Sequence, residues 1–159
     1  MSVQRPPFFH LFMATGFGSG FSPVAPGTAG ALLAVLLWIA GYFLLPFGIL
    51  QTVLAAAIVY FTVQGIYSSA VMEKYWGEDP SRVVIDEMVG VWIPLFVVPD
   101  GGWWYVVAAF ALFRFFDIVK PLGVRRMERF RRGVGIMMDD ILAGIYSAIL
   151  LGIIRLSIE

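Results

Sequence analysis

Between Arg5 and Glu73, residues 6–72 form a run of 67 positions without one formally charged side chain. About 20 residues suffice for a helix to cross a bilayer core, so the run must hold more than one element. Its punctuation divides it. Residues 15–28 are dense in Gly, Ser, Thr and Pro and read as a loop. The remainder breaks at Pro46 and Gly48 into two apolar spans, about 29–45 and 47–72.

The pattern continues downstream. After a polar loop over 73–82, residues 83–98 are apolar except for Asp86 and Glu87 near their start, and Pro99, Asp100, Gly101 and Gly102 make a turn. Residues 103–119 form a fourth span, charged only at Arg114 and Asp117 and opened by Trp103, Trp104 and Tyr105 as an interfacial aromatic belt. A basic stretch over 120–132 follows. Asp139 and Asp140 then open a fifth apolar segment reaching about residue 154, in which Gly144, Ala148 and Gly152 recur every four positions and permit close helix packing.

The expected fold is therefore all-α: a polytopic integral membrane helix bundle of about five apolar helices, in a single domain over 1–159. Composition agrees, since charged residues are 14% of the chain against roughly 25% in an average soluble domain. Mean hydropathy is +0.85. A soluble helical protein with an unusually apolar core is the alternative.

Composition also excludes several chemistries. The chain has no Cys, hence no disulfide, thiolate metal site or cysteine nucleophile, and its single histidine, His10, rules out a multi-histidine metal centre. Net charge is zero, which gives no argument for a nucleic-acid partner. No cleavable signal peptide is expected, because Pro6 and Pro7 precede any apolar core and no small-residue cleavage site follows.

Charge placement orients the chain. All Lys and Arg residues except Arg155 fall on the side shared by the N-terminus, the 73–82 loop and the 120–138 loop, which the positive-inside rule makes cytoplasmic. Asp86, Glu87, Arg114, Asp117, Lys120, Asp139 and Asp140 then all reach the cytoplasmic ends of three helices. The glycine-rich loop lies there too.

Such charges are costly beside lipid and mark a functional site. Five carboxylates repel one another unless a cation sits among them, and Mg²⁺ suits an all-oxygen donor set that also retains water and substrate phosphate. Adjacent helical residues diverge by about 100°, so each acidic pair supplies one ligand and one supporting group as readily as two ligands, and Asp139 also reads as a helix cap. Arg114, Asp117 and Lys120, spaced three apart, share one helical face. Arg114 offers a phosphate-binding fork and Lys120 a point charge, while a purely neutralising role for Asp117 is the competing reading. Thr15, Gly16, Gly18, Ser19 and Thr28 offer backbone N–H groups and hydroxyls to an anion. The loop lacks the lysine of a nucleotide-binding P-loop. Arg125, Arg126, Arg129, Arg131 and Arg132 form a basic surface suited to anionic lipid headgroups.

Four segments, GFGSGFSPVAPGTAG (16–30), VVIDEMVGVW (83–92), FRFFDIVKP (113–121) and GVGIMMDDILAG (133–144), closely resemble the phosphatidylglycerophosphatase A family, in the family's order and over most of the chain. The resemblance implies a bacterial inner-membrane enzyme, multi-pass with its active site facing the cytoplasm. It implies Mg²⁺-dependent hydrolysis of the terminal phosphomonoester of phosphatidylglycerophosphate to phosphatidylglycerol and inorganic phosphate. Carried onto this chain, the family motifs fall on Asp86 and Glu87, on Arg114, Asp117 and Lys120, and on Asp139 and Asp140. Asp79 and Pro80 also match. Two positions depart: Arg132 stands where the family commonly has Gly, and Ala31 where it often has Ser.

On this reading Asp86, Glu87, Asp139 and Asp140 supply the metal ligands, and Asp86, Glu87, Asp117 and Asp140 are the catalytic residues. Thr15, Gly16, Gly18, Ser19, Thr28, Arg114 and Lys120 bind substrate. Water attack and an aspartyl nucleophile both remain open. The rival functions are a small cation-binding membrane transporter, a CDP-alcohol-type lipid phosphotransferase and a non-catalytic assembly subunit. Oligomeric state is not legible.

Overall fold

The computed structural model describes residues 5–159. These form seven α-helices and one short 3-10 turn, with no strand among the described residues. In chain order the helices are α1 (Phe8–Ala14), α2 (Pro26–Leu44), α3 (Phe47–Trp76), α4 (Ile85–Leu95), α5 (Trp103–Val119), α6 (Val124–Met127) and α7 (Gly133–Ile158); the 3-10 turn, Ser19–Phe21, lies between α1 and α2.

Three helices, α2, α3 and α7, are long and apolar enough to cross a membrane. Their apolar side chains point mostly outward. In α3 only 17% of the most apolar window is buried, and Val53, Val59 and Val63 stand exposed on its surface. In water such faces would be a liability; against lipid they are the expected exterior.

Against an expectation of about five apolar helices, three are long and apolar enough to cross a membrane, and α4 and α5 are shorter. α5 has 17 residues. α4 has only 11, about 16 Å of helix at 1.5 Å per residue, roughly half a bilayer core. It is an internal element: Ile85, Met88, Val89, Val91 and Leu95 are fully buried, packed between α2, α5 and α7. The last segment starts earlier than expected, at Gly133, so Asp139 sits within α7 and Arg132 occupies the N-cap; helix capping by Asp139 is excluded. α1 and α6 were not foreseen.

Glycines set how closely the inner helices approach. A Cβ on Gly144 of α7 would collide with the Gly90 carbonyl of α4, and one on Gly90 would meet the Phe113 ring of α5 and stand 2.9 Å from the Asp140 carbonyl. Gly90 lies one turn beyond Asp86 on the same face of α4. The bare backbone there lets α7 close against α4 and brings Asp140 to Asp86. Of the two glycines in the stripe only Gly144 is used in this way, since Gly152 faces open space.

Polar contacts identify the two ends of the bundle. At one end the Tyr42 hydroxyl donates to Asp100 Oδ1 at 2.6 Å, Gln51 Nε2 to the Phe96 carbonyl at 3.2 Å, and Arg155 Nη1 to the Val97 carbonyl at 3.3 Å. Trp103 and Trp104 are exposed at this end, whereas Tyr105 turns into the core. The opposite end gathers the start of α2, the end of α3, the start of α4, the end of α5 and the first turns of α7. Every acidic and basic candidate residue lies there.

Candidate active site

Four helices supply the site. Asp86 and Glu87 occupy the first turn of α4, Arg114 and Asp117 the last turns of α5, Asp139 and Asp140 the second turn of α7, and Gly27 and Thr28 the first turn of α2. Together with Asp79, Ser81 and Lys120 they line a cleft of about 300 Å³.

Arg114 is the central cation. Its Nη1 pairs with Glu87 and, at 2.5 Å, donates to Asp117 Oδ2. Lys120 is not the third member of a helical stripe. It is the C-cap of α5 with a left-handed backbone, φ +50°, which swings its side chain away toward α7. Its Nζ donates to Asp139 Oδ2 at 2.8 Å and also pairs with Glu128. Asp117 therefore neutralises Arg114 alone. Burial opposes the Lys120 ammonium, yet the Asp139 and Glu128 carboxylates outweigh it and hold its pKa above the ordinary lysine value. Lys120 is charged throughout the physiological range.

Two cations against five carboxylates leave a formal excess of three negative charges. The carboxylate oxygens form two clusters, Asp86 with Asp139 and Asp140, and Glu87 with Asp117 and Asp140; within each, the donor atoms lie within 4.8 Å of one another. Asp140 belongs to both. Asp86 Oδ1 and Asp140 Oδ2 are buried without any hydrogen-bond partner, a costly state for a carboxylate oxygen. An all-oxygen set with unpartnered buried donors and excess negative charge fits a hard divalent cation such as Mg²⁺.

The first helix of the span region adds an opposite field. α2 points its N-terminus at the cleft, so its free N–H groups and positive dipole end face the carboxylates and any anion between them. Gly27 permits the approach: a Cβ there would collide with Glu87 Oε1. Sequence reasoning passed over Gly27, whose neighbours Pro26 and Thr28 made it look like one more loop residue. Asp117 likewise joins a donor cluster only through the tertiary fold, and nothing in its spacing signals that.

Of the loop residues expected to bind an anion, Thr28 lines the cleft and the other four do not. Thr15 is buried and its hydroxyl donates to the Leu11 carbonyl at 2.7 Å while accepting from the Gly18 N–H at 3.2 Å. The Ser19 hydroxyl donates to the Gly16 carbonyl at 2.8 Å. Gly16 and Gly18 both have positive φ, +53° and +93°, and close the turn. The loop's evident work is support. Ala14 accepts from the Val84 N–H at 2.9 Å, and the Arg82 guanidinium stacks on both Phe21 and Trp76, fixing the segment that leads into Asp86.

The two departures also find places. Ala31 is fully buried inside the bundle. Arg132 has φ +59° and ψ −156°, a backbone region natural to glycine and strained for any other residue.

The sequence profile described as phosphatidylglycerophosphatase A matches residues 12–155. A Bacteroides thetaiotaomicron protein named "Putative phosphatidylinositol-3-phosphatase" is 64% identical over 155 residues, covering 96% of this chain and 98% of that protein. Proteins named phosphatidylglycerophosphatase A from Escherichia coli and Haemophilus influenzae are 40% and 42% identical over 142 residues, covering 88% of this chain and 79% and 84% of theirs. No solved structure matches the chain.

Proposed function

The chain belongs to the phosphatidylglycerophosphatase A family of phosphatases, and from that premise we propose that it removes the terminal phosphate of phosphatidylglycerophosphate, releasing phosphatidylglycerol and inorganic phosphate, with Mg²⁺ as cofactor. One observation carries the reading. Two clusters of carboxylates, with Asp86 Oδ1 and Asp140 Oδ2 buried and unpartnered, share one cleft with a helix N-terminus and Arg114 at the ends of apolar helices.

Asp86, Glu87, Asp139 and Asp140, joined by Asp117, would hold Mg²⁺, which when bound supplies Lewis-acid neutralisation of phosphoryl charge. The chain's own groups do the rest. The α2 N-terminus offers N–H donors to phosphate oxygens, and Arg114 holds Glu87 and Asp117 in place while adding positive charge beside the developing oxyanion. Asp117 orients Arg114, and it is the proposed general base for the attacking water. Lys120 fixes Asp139 against α7.

A site at helix ends suits a lipid whose chains stay in the bilayer while its headgroup reaches the aqueous edge. The distribution of Lys and Arg supports putting that edge on the cytoplasmic side, and the bacterial relatives support an inner-membrane setting. A transporter would need polar groups deep along its helices, and the seven charged site residues here are gathered at one end.

The 64% identical relative favours a second reading, in which the same chemistry acts on phosphatidylinositol 3-phosphate. Both lipids carry a phosphomonoester beyond a phosphodiester-linked polyol. Phosphate release from each lipid in identical neutral detergent micelles decides between them: a kcat/KM at least tenfold higher for phosphatidylglycerophosphate supports the first, and the reverse preference replaces it with the second.

A further inference from the structure

A second cavity of about 750 Å³, larger than the catalytic cleft, opens beside it, and Asp79 and Asp139 line both. Its lining carries Arg129, Arg131 and Arg132 together with Glu73 and Glu78. The mechanism above uses none of these five residues. Lys120 stands at the junction, one ammonium pairing with Asp139 in the cleft and with Glu128 in the cavity wall. Asp79, in the shared wall, has φ +47°, and Arg132 has φ +59°; both are strained positions for residues with a side chain. Strain of this kind persists where the surroundings or function demand it.

We infer that this cavity is the recognition site for the part of the lipid headgroup lying between the terminal phosphate and the acyl chains, a phosphodiester-linked polyol. The chemistry of the wall matches that ligand. Arginine forks suit the two free oxygens of a phosphodiester, and carboxylates accept hydrogen bonds from polyol hydroxyls. The volume lies in the range of small-molecule sites. The shared wall places a headgroup in the cavity with its terminal phosphomonoester in the cleft. Arg132, held in a glycine-like backbone at the start of α7, is the principal anchor. This inference rests on the phosphatase reading.

Two variants, Arg132→Gly and Arg129→Gln, separate recognition from fold. KM and kcat are measured for phosphatidylglycerophosphate and for phosphatidylinositol 3-phosphate in neutral detergent micelles, which exclude other anionic headgroups. Inorganic phosphate, as a competitive inhibitor, probes the cleft alone. The expected result is a KM about tenfold higher for the preferred lipid, the scale of one lost charge-assisted contact, with kcat within about twofold and the Ki for phosphate unchanged. Arg132→Gly also keeps or raises the unfolding midpoint, because glycine relieves the strained φ. Unchanged KM in both variants, or a Ki for phosphate that weakens in parallel with KM, overturns the headgroup site. Failure of the unmodified protein to hydrolyse either lipid overturns the phosphatase reading, and the inference with it.

Discussion

Gly27→Ala tests whether the position of Glu87, rather than its mere presence, matters. A Cβ at residue 27 would stand 2.8 Å from Glu87 Cδ, where ordinary contact begins at 3.4 Å, so the carboxyl carbon must retreat by about 0.6 Å and its Oε1 further. The atom displaced is the far end of a flexible side chain, and residue 27 lies in the first turn of α2. The fold loses little. Alanine in a helix is about 0.5–1 kcal/mol more favourable than glycine, so the unfolding midpoint should hold or rise. Activity has no such slack, because Glu87 is clamped by Arg114 and shares its donor cluster with Asp117 and Asp140. A displacement approaching 1 Å at a reacting centre costs on the order of 10²-fold in rate, about 2.7 kcal/mol of barrier. The assay is kcat for phosphate release in detergent micelles, paired with thermal unfolding followed by tryptophan fluorescence. A folded Gly27→Ala protein with unimpaired kcat would refute the role given to Glu87.

Other perturbations read other parts of the site. Asp140→Asn removes the carboxylate common to both donor clusters and should lower kcat by more than about 10³-fold, while thermal stability in chelator is kept or gained because one buried unpaired charge is gone. Gly144→Ala, whose Cβ meets the Gly90 backbone rather than a movable side chain, should destabilise the bundle by about 1–3 kcal/mol, seen as a lower unfolding midpoint. Metal titration of chelator-treated protein should show saturable Mg²⁺ or Mn²⁺ binding that Asp117→Asn weakens at least tenfold; unchanged affinity in Asp117→Asn would remove Asp117 from the donor set. Single turnover in ¹⁸O water should place the label in phosphate, and label in an Asp carboxylate would establish a covalent route instead.

Sequence reading went furthest where punctuation and helix boundary coincide. The fourth span was expected over 103–119 and α5 occupies those residues, because Gly102 and Pro121 bracket it. The start of α7 was misplaced for a definite reason. Gly133 and Gly135 look like loop residues, yet their missing side chains admit the Ile66 and Phe130 carbonyls against the helix. Glycine serving close approach and glycine breaking a helix are the same letter. α4 read as a span because its apolar run continues through Phe96 and Val97, which form a turn after the helix rather than its next one.

The charged residues were legible as a set and not as pairs. Sign and placement brought seven of them to one end of the bundle, where the structure gathers them into one cleft. Helical spacing put Lys120 beside Arg114, but the left-handed C-cap sends it to Asp139, a partner 19 positions away. The same limit hid the approach of Gly27 to Glu87 and the membership of Asp117 in a donor cluster, since both depend on how four helices meet. The glycine-rich loop drew attention as an anion site on composition alone. The Thr15 and Ser19 hydroxyls close turns instead, and of the five residues singled out only Thr28, carried on the first turn of α2, lines the cleft.

The carboxylate cleft is the proposed site at which the terminal phosphate of a phospholipid headgroup is hydrolysed with the help of a divalent cation. Purified protein, stripped of divalent cations by chelator and returned to micelles containing phosphatidylglycerophosphate, should release no phosphate until Mg²⁺ is restored and should then release it at a rate that Asp140→Asn abolishes. Phosphate release that persists without divalent cations, or that survives loss of the Asp140 carboxylate, would contradict that proposal.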